Sequence, residues 1–462
     1  MPASIRHLSD QIRRSQLSPV ELTRHFLGRI EKLNPLFNAF ITVNDESALR
    51  AAGEAESEIQ KGNWRGPLHG IPIGLKDLID AAGVRTTAAS ALFKDRIPAE
   101  DAEVVTRLRA AGAILIGKHN LHEFAYGGSS VISYFGAVRN PWNPDHIAGG
   151  SSGGSTAAVA GGMCYAAIGT DTGGSIREPA SLCGVVGLKP TFGRVSTRGV
   201  IPLSPSLDHV GPMTRNVADA AMVLQAIAGY DPRDPNSANV PVPDYITALE
   251  QPPAKVRVGV PRTLFYDNLD QEIASAVQQA LGVLENQGAE IRDIDLQVPT
   301  DWSLLSAEAY GYHAEFIRRS PELYQPETLR RLGAGETISA AEAEARRREI
   351  KEMRNQIGGI FEQMDVLVTP TTPMPAPAFE ELTQNPDLLR PKELALLINT
   401  RPFNLWGLPT ISIPCGFTHS GLPIGLQIAG AHWSETRVLQ VAHAYEQATQ
   451  WHGKQPRIAV MN

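Results

Sequence analysis

The chain has 462 residues, of which 42% are hydrophobic and 20% are charged, and its net charge is −7. This composition predicts a globular protein with a large core and excludes a disordered or collagen-like chain. The acidic balance, without a long run of one sign, argues against a nucleic-acid surface or a basic membrane patch, so the expected partner is a small molecule.

The sequence shows no membrane span and no export signal. No stretch approaches the ~18 apolar residues that a span requires, and residues 1–18 include polar and charged residues where a signal peptide needs an apolar run. We therefore expect a cytoplasmic protein. Cys164, Cys183 and Cys415 lie far apart among apolar or small residues, which predicts inert core thiols rather than disulfides or a zinc site.

The first part of the chain predicts alternating helices and strands. Ser18-Pro19-Val20-Glu21 is a helix-start pattern, and the apolar residues after it predict a helix that continues to Asn34-Pro35. The apolar run 70–77 ends in two charges, which predicts a strand with Lys76 at its carboxyl end. A helix over 101–111 and a strand over 113–117 follow, separated by Gly112 at the helix end.

From residue 127 to residue 211, glycine, serine and proline become dense, as in segments with tight turns and close ligand approach. A proline-rich connector over 231–253 follows it. We expect a single domain over 1–462, in which this connector separates two lobes, 1–230 and 254–462.

The second part of the chain resumes the alternation of strands and helices, which predicts an α/β fold. Strands are predicted at 256–260, 366–369, 410–414 and 424–429, a long charged helix at 340–363, and a proline-rich surface loop at 370–377.

Two serine- and glycine-rich turns, residues 148–155 and 169–180, carry the strongest chemical signal. A serine hydroxyl becomes an effective nucleophile only beside a base. Of the twelve histidines, only His146 and His209 lie near these turns, and neither has an evident carboxylate to orient it. A lysine that is buried among apolar residues loses its proton readily, so Lys76 is the candidate base.

Other interpretations of these motifs are weaker. Residues 149–153 match Gly-x-Ser-x-Gly, but a nucleophile elbow follows a strand, whereas this motif follows the proline-flanked segment 140–144. No Gly-Lys-Ser/Thr closes either turn, which argues against a phosphate loop. The histidines of segment 119–123 match no zinc spacing, so we expect structural or pocket-lining roles for them and no metal site.

These segments resemble the amidase signature family. The resemblance extends over nearly the whole chain, through residues 70–77, 149–155, 169–180, 184–191, 206–212 and 403–409. It implies an α/β fold in which a large, mixed, twisted β-sheet is covered on both faces by helices. It also implies a hydrolase of carbon–nitrogen bonds without a cofactor.

The family implies a Ser–cis-Ser–Lys triad, and the matching residues are Ser175, Ser151 and Lys76. In such a triad, neutral Lys76 accepts the proton of Ser151, Ser151 accepts that of Ser175, and Ser175 forms an acyl-enzyme. The glycines of Thr172-Gly173-Gly174-Ser175 leave successive backbone N–H groups free to bind an oxyanion, so we assign the oxyanion hole to this turn.

Further residues are expected to support the triad or the substrate. Asp171 and Arg177 are expected to brace the turn, with a substrate contact by Arg177 as the alternative, and Ser152 is expected to position Lys76. The candidates for the wall of the substrate pocket are Phe124, Tyr126, Gly127, Gly128 and Trp142, with core packing an equal alternative for the aromatic residues.

Two enzymatic roles fit this site. One is a stand-alone amidase of aryl or alkyl amides, with carbamates and esters open to the same chemistry. The other is the glutaminase subunit of a tRNA-dependent amidotransferase. In a gapless match, Leu397 stands where that subunit has an aspartate for the amino group of glutamine, and an apolar side chain cannot pair an ammonium. We therefore expect the stand-alone enzyme, acting on a small-molecule amide without nucleic acid or membrane.

A homo-oligomer remains open. A catalytically silent scaffold is disfavoured because the triad is intact.

Overall fold

The computed structural model describes residues 4–251, 253 and 255–458. Within them, eleven strands form one mixed sheet. In chain order, the strands are β1 (Phe40–Val43), β2 (Pro72–Lys76), β3 (Ile114–His119), β4 (Ala166–Asp171), β5 (Val186–Lys189), β6 (His209–Thr214), β7 (Arg257–Pro261), β8 (Glu290–Ile294), β9 (Val366–Pro370), β10 (Thr410–Phe417) and β11 (Pro423–Gly430).

The order of the strands in the sheet is β1-β3-β2-β4-β6-β5-β10-β11-β9-β7-β8. Strand β2 is parallel to β3 and β4, and β7 is parallel to β8 and β9. The centre, from β4 to β9, is antiparallel. Strands β5 and β10 pair although they come from opposite sides of the connector at 231–253, so one sheet crosses both predicted lobes. The lobe boundary stays a prediction.

Sixteen α-helices surround the sheet in the described part of the chain. They are α1 (Ile5–Arg13), α2 (Pro19–Phe37), α3 (Asp45–Gln60), α4 (Glu103–Ala110), α5 (Gly153–Ala160), α6 (Arg177–Cys183), α7 (Val217–Ile227), α8 (Tyr245–Ala248), α9 (Gln271–Asn286), α10 (Ser303–Arg319), α11 (Pro326–Gly333), α12 (Ala340–Gln356), α13 (Phe379–Gln384), α14 (Pro386–Leu396), α15 (Pro402–Leu405) and α16 (Glu435–Ala448).

Both faces of the sheet are covered. Every residue of β2, β3, β4, β6, β9 and β11 is buried. Because successive strand residues point to opposite faces, this pattern requires packing on both faces. The predicted α/β fold is therefore confirmed. None of the described helices is both long and apolar enough to cross a membrane.

Most of the predicted helices and strands lie where short-range sequence patterns predict them. The Ser18 hydroxyl accepts the N–H groups of Val20 and Glu21 at the start of α2, at 3.1 and 3.2 Å. The helix continues past Pro35 to Phe37, two residues beyond the predicted end. A proline in the last turn removes only one helical hydrogen bond, so it does not end the helix there.

The second half of the chain brings one correction. All four predicted strands form, and the predicted helix 340–363 consists of α12 and a 3-10 helix over Ile357–Glu362. The surface loop predicted at 370–377 is wrong, because residues 371–373, 376 and 377 are buried. Backbone N–H groups from distant segments donate to this loop, as Asp270 does to the Pro373 carbonyl and Ile147 to the Pro377 carbonyl.

The three cysteines are free and buried, as expected for core thiols. Burial raises the pKa of each thiol above its ordinary value, for Cys183 to about 12. A thiol with a raised pKa is a poor nucleophile near neutral pH.

Helix α5 packs so closely on neighbouring backbone that its glycine is required. A Cβ atom on Gly154 would lie 2.3 Å from the Asn120 carbonyl oxygen and 2.6 Å from that of Ala39. We expect Gly154→Ala to lower the free energy of unfolding by about 1–3 kcal/mol or more. Thermal unfolding of the purified variant measures this effect.

The matched control is Gly53→Ala in α3, where a Cβ atom would meet nothing within 4 Å. Alanine in an open helical position stabilises by about 0.5–1 kcal/mol relative to glycine. Equal melting temperatures for the two variants would contradict the close packing of α5.

Candidate active site

Lys76 and Ser151 are brought together by β2 and by the turn that precedes α5. The Lys76 Nζ atom lies 2.7 Å from Ser151 Oγ and 2.9 Å from Thr170 Oγ1. Lys76 and Ser151 are fully buried. The amine is therefore held between two hydroxyl groups at hydrogen-bond distance, away from bulk water.

This burial changes the acidity of the lysine. Loss of hydration lowers the pKa of Lys76 to about 7, against the opposing effect of the nearby Asp171 and Asp208 carboxylates. Desolvation disfavours the charged form of an amine. A large fraction of Lys76 is therefore an uncharged base near neutral pH.

The turn that carries Ser151 is held by its backbone. The Gly150–Ser151 peptide bond is cis. The Gly150 N–H donates to Glu178 Oε2 at 2.8 Å, and the Ser151 carbonyl accepts the His122 N–H at 3.1 Å and the Ser130 hydroxyl at 3.3 Å. These contacts fix the position from which the Ser151 side chain reaches Lys76.

Ser175 lies on the second turn, between β4 and α6. The Ser152 N–H donates to the Ser175 carbonyl at 3.2 Å, so the two predicted turns meet directly. Ser175 is 5% exposed, whereas Ser151 and Lys76 are at 0%. Among the described residues, the Ser151 and Ser175 hydroxyls form no hydrogen bond with each other. Ser175 is thus the member of the three that solvent, and a substrate, can reach.

Asp171 braces the second turn, as predicted. Its carboxylate accepts the N–H groups of Gly174 at 2.8 Å and Ile176 at 3.1 Å, and the Asn404 side-chain amide at 2.8 Å. Burial alone would raise the pKa of Asp171, but the Arg177 guanidinium and these hydrogen bonds hold the pKa well below its usual range. The charged carboxylate is therefore a permanent anchor for this turn.

Arg177 also acts as a brace. It donates to both oxygens of the Asp171 carboxylate at 3.0 Å and is fully buried. Its other donors bind the Thr400 carbonyl at 2.9 Å, and the side chains of Gln427 and Asn404 at 2.7 Å. These partners leave no free face for a substrate, so the bracing interpretation is favoured over the substrate contact.

The predicted oxyanion turn needs one correction. The Gly174 N–H is taken by Asp171, so it is not free to bind an oxyanion. The N–H groups of Thr172, Gly173 and Ser175 donate to no protein group in the described segments. The Thr172 hydroxyl donates to Asp208 at 2.5 Å. Three free donors therefore remain around the turn that carries Ser175.

The predicted contact between Ser152 and Lys76 is also wrong. The Ser152 hydroxyl donates to the Thr170 carbonyl at 3.1 Å, and the Thr170 side chain, not that of Ser152, contacts the amine of Lys76. Sequence reasoning missed Thr170, although its place in β4, parallel to β2, could have indicated it.

Part of the predicted pocket wall lies beside the oxyanion turn. A Cβ atom on Gly128 would lie 3.2 Å from Leu397 Cδ1, and one on Gly174 would lie 2.8 Å from Leu397 Cδ2. Leu397 thus separates these two segments. A Cβ atom on Gly127 would collide with the His122 ring, so this approach requires glycine. The carbonyl of Tyr126 accepts from Arg331 at 2.6 Å.

Two of the predicted wall residues lie elsewhere. Phe124 is 1% exposed and packs in an aromatic cluster, with its ring centroid 4.4 Å from that of His313. Trp142 donates from Nε1 to the Cys183 carbonyl at 2.7 Å, and its ring centroid lies 4.7 Å from that of Phe417. Cys183 ends α6, whereas Ser175 precedes the start of that helix. Both aromatic residues are therefore structural.

The site also contains residues that the sequence did not reveal. A Cβ atom on Gly173 would lie 3.5 Å from Arg401 Cγ and 3.8 Å from Trp302 Cζ3. The guanidinium carbon of Arg401 lies 4.8 Å from the centre of the Trp302 ring. Both residues are distant from Gly173 in the chain, so only the fold brings them together.

The chain and its fold are similar to known proteins. The Amidase family model matches residues 21–439. The A subunit of glutamyl-tRNA(Gln) amidotransferase from Geotalea daltonii is 42% identical, over 97% of this chain and 98% of that protein. The crystal structure of the corresponding protein from Thermotoga maritima gives a TM-score of 0.80 at 33% identity, covering 100% of this chain and 98% of that one. The 6-aminohexanoate cyclic dimer hydrolase in complex with its substrate gives 0.89 at 30%, covering 98% of both chains.

These similarities contradict two expectations. One is a stand-alone amidase of aryl or alkyl amides, and the other is an enzyme whose only partner is a small-molecule substrate. The relatives that are about 40% identical over nearly their whole length are named as subunits of an amidotransferase of glutamyl-tRNA(Gln). The expectation depended on the single position 397, whereas the similarity extends over nearly the whole sequence and fold. What the matches share with this chain is the amide-hydrolysing scaffold, and the chain belongs to the amidase signature family.

Proposed function

We propose that this chain is the glutamine-hydrolysing subunit of an assembly similar to glutamyl-tRNA(Gln) amidotransferase. The observation that carries the proposal is the contact of 2.7 Å between Ser151 and the amine of Lys76, whose pKa is lowered to about 7 by burial. Full-length similarity to one subunit of that enzyme from several bacteria supports this class of substrate and partner.

In the proposed reaction, Ser175 attacks the side-chain amide carbon of glutamine. Neutral Lys76 takes the proton of Ser151 while Ser151 takes that of Ser175, and a tetrahedral intermediate forms. The relay then returns a proton to the amide nitrogen, the C–N bond breaks and ammonia leaves. Water, deprotonated by the same relay, cleaves the ester on Ser175 and releases glutamate.

Two features of the site support this route. Thr170 accepts a hydrogen bond from the uncharged Lys76 amine, which turns the nitrogen lone pair toward Ser151. The free N–H groups of Thr172, Gly173 and Ser175 suit an oxyanion, and removing one such donor typically costs about 3–4 kcal/mol of transition-state stabilisation. We expect the Ser175 hydroxyl to approach Ser151 when substrate binds.

The ammonia released from glutamine requires an acceptor. A glutaminase within an amidotransferase delivers its product to an acceptor, so we propose further subunits that hold an activated glutamyl-tRNA and receive the nitrogen. A cytoplasmic location, expected because the sequence predicts neither a membrane span nor a signal peptide, fits such a role and stays a prediction.

The role of Ser175 has a direct test. We expect a fluorophosphonate probe to label Ser175, and Ser175→Ala to lower ammonia release from glutamine at least about a thousandfold. Peptide mass spectrometry and an ammonia assay measure these outcomes. Ser155→Ala is the matched control, because the Ser155 hydroxyl contacts His119 rather than Lys76. Labelling of Ser151 instead would reassign the nucleophile.

The class of substrate is tested by comparing glutamine with a panel of nitroanilides. We expect the chain to release ammonia from glutamine and, with glutamyl-tRNA and the partner subunits of an amidotransferase, to transfer it to the tRNA. Cleavage of nitroanilides without hydrolysis of glutamine, in the presence of those partners, would contradict the proposal.

The pH dependence tests the base. Lys76 is active when uncharged, and its pKa is lowered to about 7, so kcat/KM for glutamine should rise with pH through about 7 and then level. Lys76→Ala should lower kcat/KM by orders of magnitude, with an unchanged circular dichroism spectrum as the control. A rise that begins only near pH 10, or near-normal activity of the variant, would remove Lys76 as the base.

A further inference from the structure

Arg401 has an unusual position beside the nucleophilic turn. Its aliphatic stem covers Gly173, whose N–H is one of the free donors, and a Cβ atom there would lie 3.8 Å from Arg401 Nε. Thr400, next to it, donates to the Gly173 carbonyl at 2.8 Å, which fixes this segment against the turn. The guanidinium is therefore held close to the turn that carries Ser175.

Within the described residues, the guanidinium of Arg401 has no hydrogen-bond partner and no carboxylate within salt-bridge distance. Its Nε atom is buried without a partner. The neighbouring arginines do have a carboxylate partner, since Arg331 lies 2.8 Å and Arg390 3.8 Å from the Glu393 carboxylate. Burial and the nearby Arg390 lower the pKa of Arg401 to about 10, so it keeps its charge near neutral pH.

Stacking on Trp302 does not account for these free donors. A guanidinium over an aromatic ring uses its flat face, whereas its five N–H donors point outward in its own plane. The contact at 4.8 Å therefore holds the group over the ring and gives its N–H donors no hydrogen-bond acceptor. A planar cation with parallel donors is the group that binds a carboxylate in bidentate fashion.

We propose that Arg401 binds the carboxylate of the substrate, which makes ω-amides of dicarboxylic acids, glutamine among them, the substrate class of this site. The proposal rests on the proposed function in taking Ser175 as the attacking group. Leu397, which lies between Gly128 and Gly174, gives this pocket no charge for an ammonium. The site therefore selects the carboxylate and tolerates the loss of the α-amino group.

Three amides of matched length separate these features: glutamine, glutaramate, which lacks the amino group, and valeramide, which has a methyl group in place of the carboxylate. We expect kcat/KM for ammonia release to be at least tenfold higher for glutaramate than for valeramide. Arg401→Gln should lower it about 10- to 100-fold for glutaramate and glutamine, mainly through KM, and leave valeramide within about twofold.

The control is Arg262→Gln, since Arg262 also stacks on an aromatic ring, that of Tyr266, but is paired with Asp293 at 2.9 Å. This substitution should leave kcat/KM for glutamine, glutaramate and valeramide unchanged. Equal wild-type rates on glutaramate and valeramide, or an equal loss on all three amides in Arg401→Gln, would overturn the role of Arg401 while leaving amide hydrolysis intact.

Binding is measured separately from turnover. Calorimetric titration of glutaramate into Ser175→Ala should give a measurable Kd. This Kd should rise at least tenfold when Arg401→Gln is added to the same chain. This measurement stands even if the isolated chain hydrolyses no amide, an outcome that would count against the proposed function. Equal affinity of the two proteins would overturn the carboxylate site.

Discussion

The proposed catalytic arrangement depends on one constraint: the amine of Lys76 must stay in the core without a charge. Among the described residues, its hydrogen-bond partners are the hydroxyls of Ser151 and Thr170, neither of which carries a charge. A carboxylate at that distance would stabilise the ammonium form and remove the base. The nearby acidic groups, Asp171 and Asp208, oppose the shift caused by burial without cancelling it. The distance of these carboxylates is therefore as important to the site as the contact with Ser151.

The contacts of Asp171 limit the effect of its carboxylate on the charge of Lys76. Its negative charge is taken up by Arg177, the Gly174 N–H and Asn404, so it serves the turn rather than the lysine. Arg177 in turn reaches the Thr400 carbonyl and the Gln427 side chain, which come from the far end of the sequence. The turn that carries Ser175 is thus anchored to β11 and to the segment before α15. That segment also carries Arg401. It therefore supports both the Arg177 side chain, which braces the turn, and the proposed substrate contact.

Local sequence signals predicted much of this structure. The strand that delivers Lys76, the two turns that carry Ser151 and Ser175, and the α/β alternation all follow from short-range patterns of apolar residues, glycines and caps. The pocket could not be predicted in this way. Trp302, Leu397 and Arg401 reach Gly173 and Gly174 through packing between elements more than a hundred residues apart. For Phe124 and Trp142, the sequence leaves pocket wall and core packing as equal alternatives, because proximity in sequence to a glycine-rich turn does not specify the direction of a side chain. The expected class of enzyme is wrong because it depends on one apolar residue at 397, whereas the similarity that contradicts it extends over nearly the whole chain.

The most direct test of the proposed relay is the ionisation of Lys76 itself. Lysine labelled with carbon-13 at the ε position gives an NMR signal whose shift follows the charge of each amine, and Lys76→Met identifies the signal of interest. We predict a resonance that titrates near pH 7. A midpoint near the ordinary value of 10.5 would mean that the amine is charged at working pH, and the proposed relay would be contradicted.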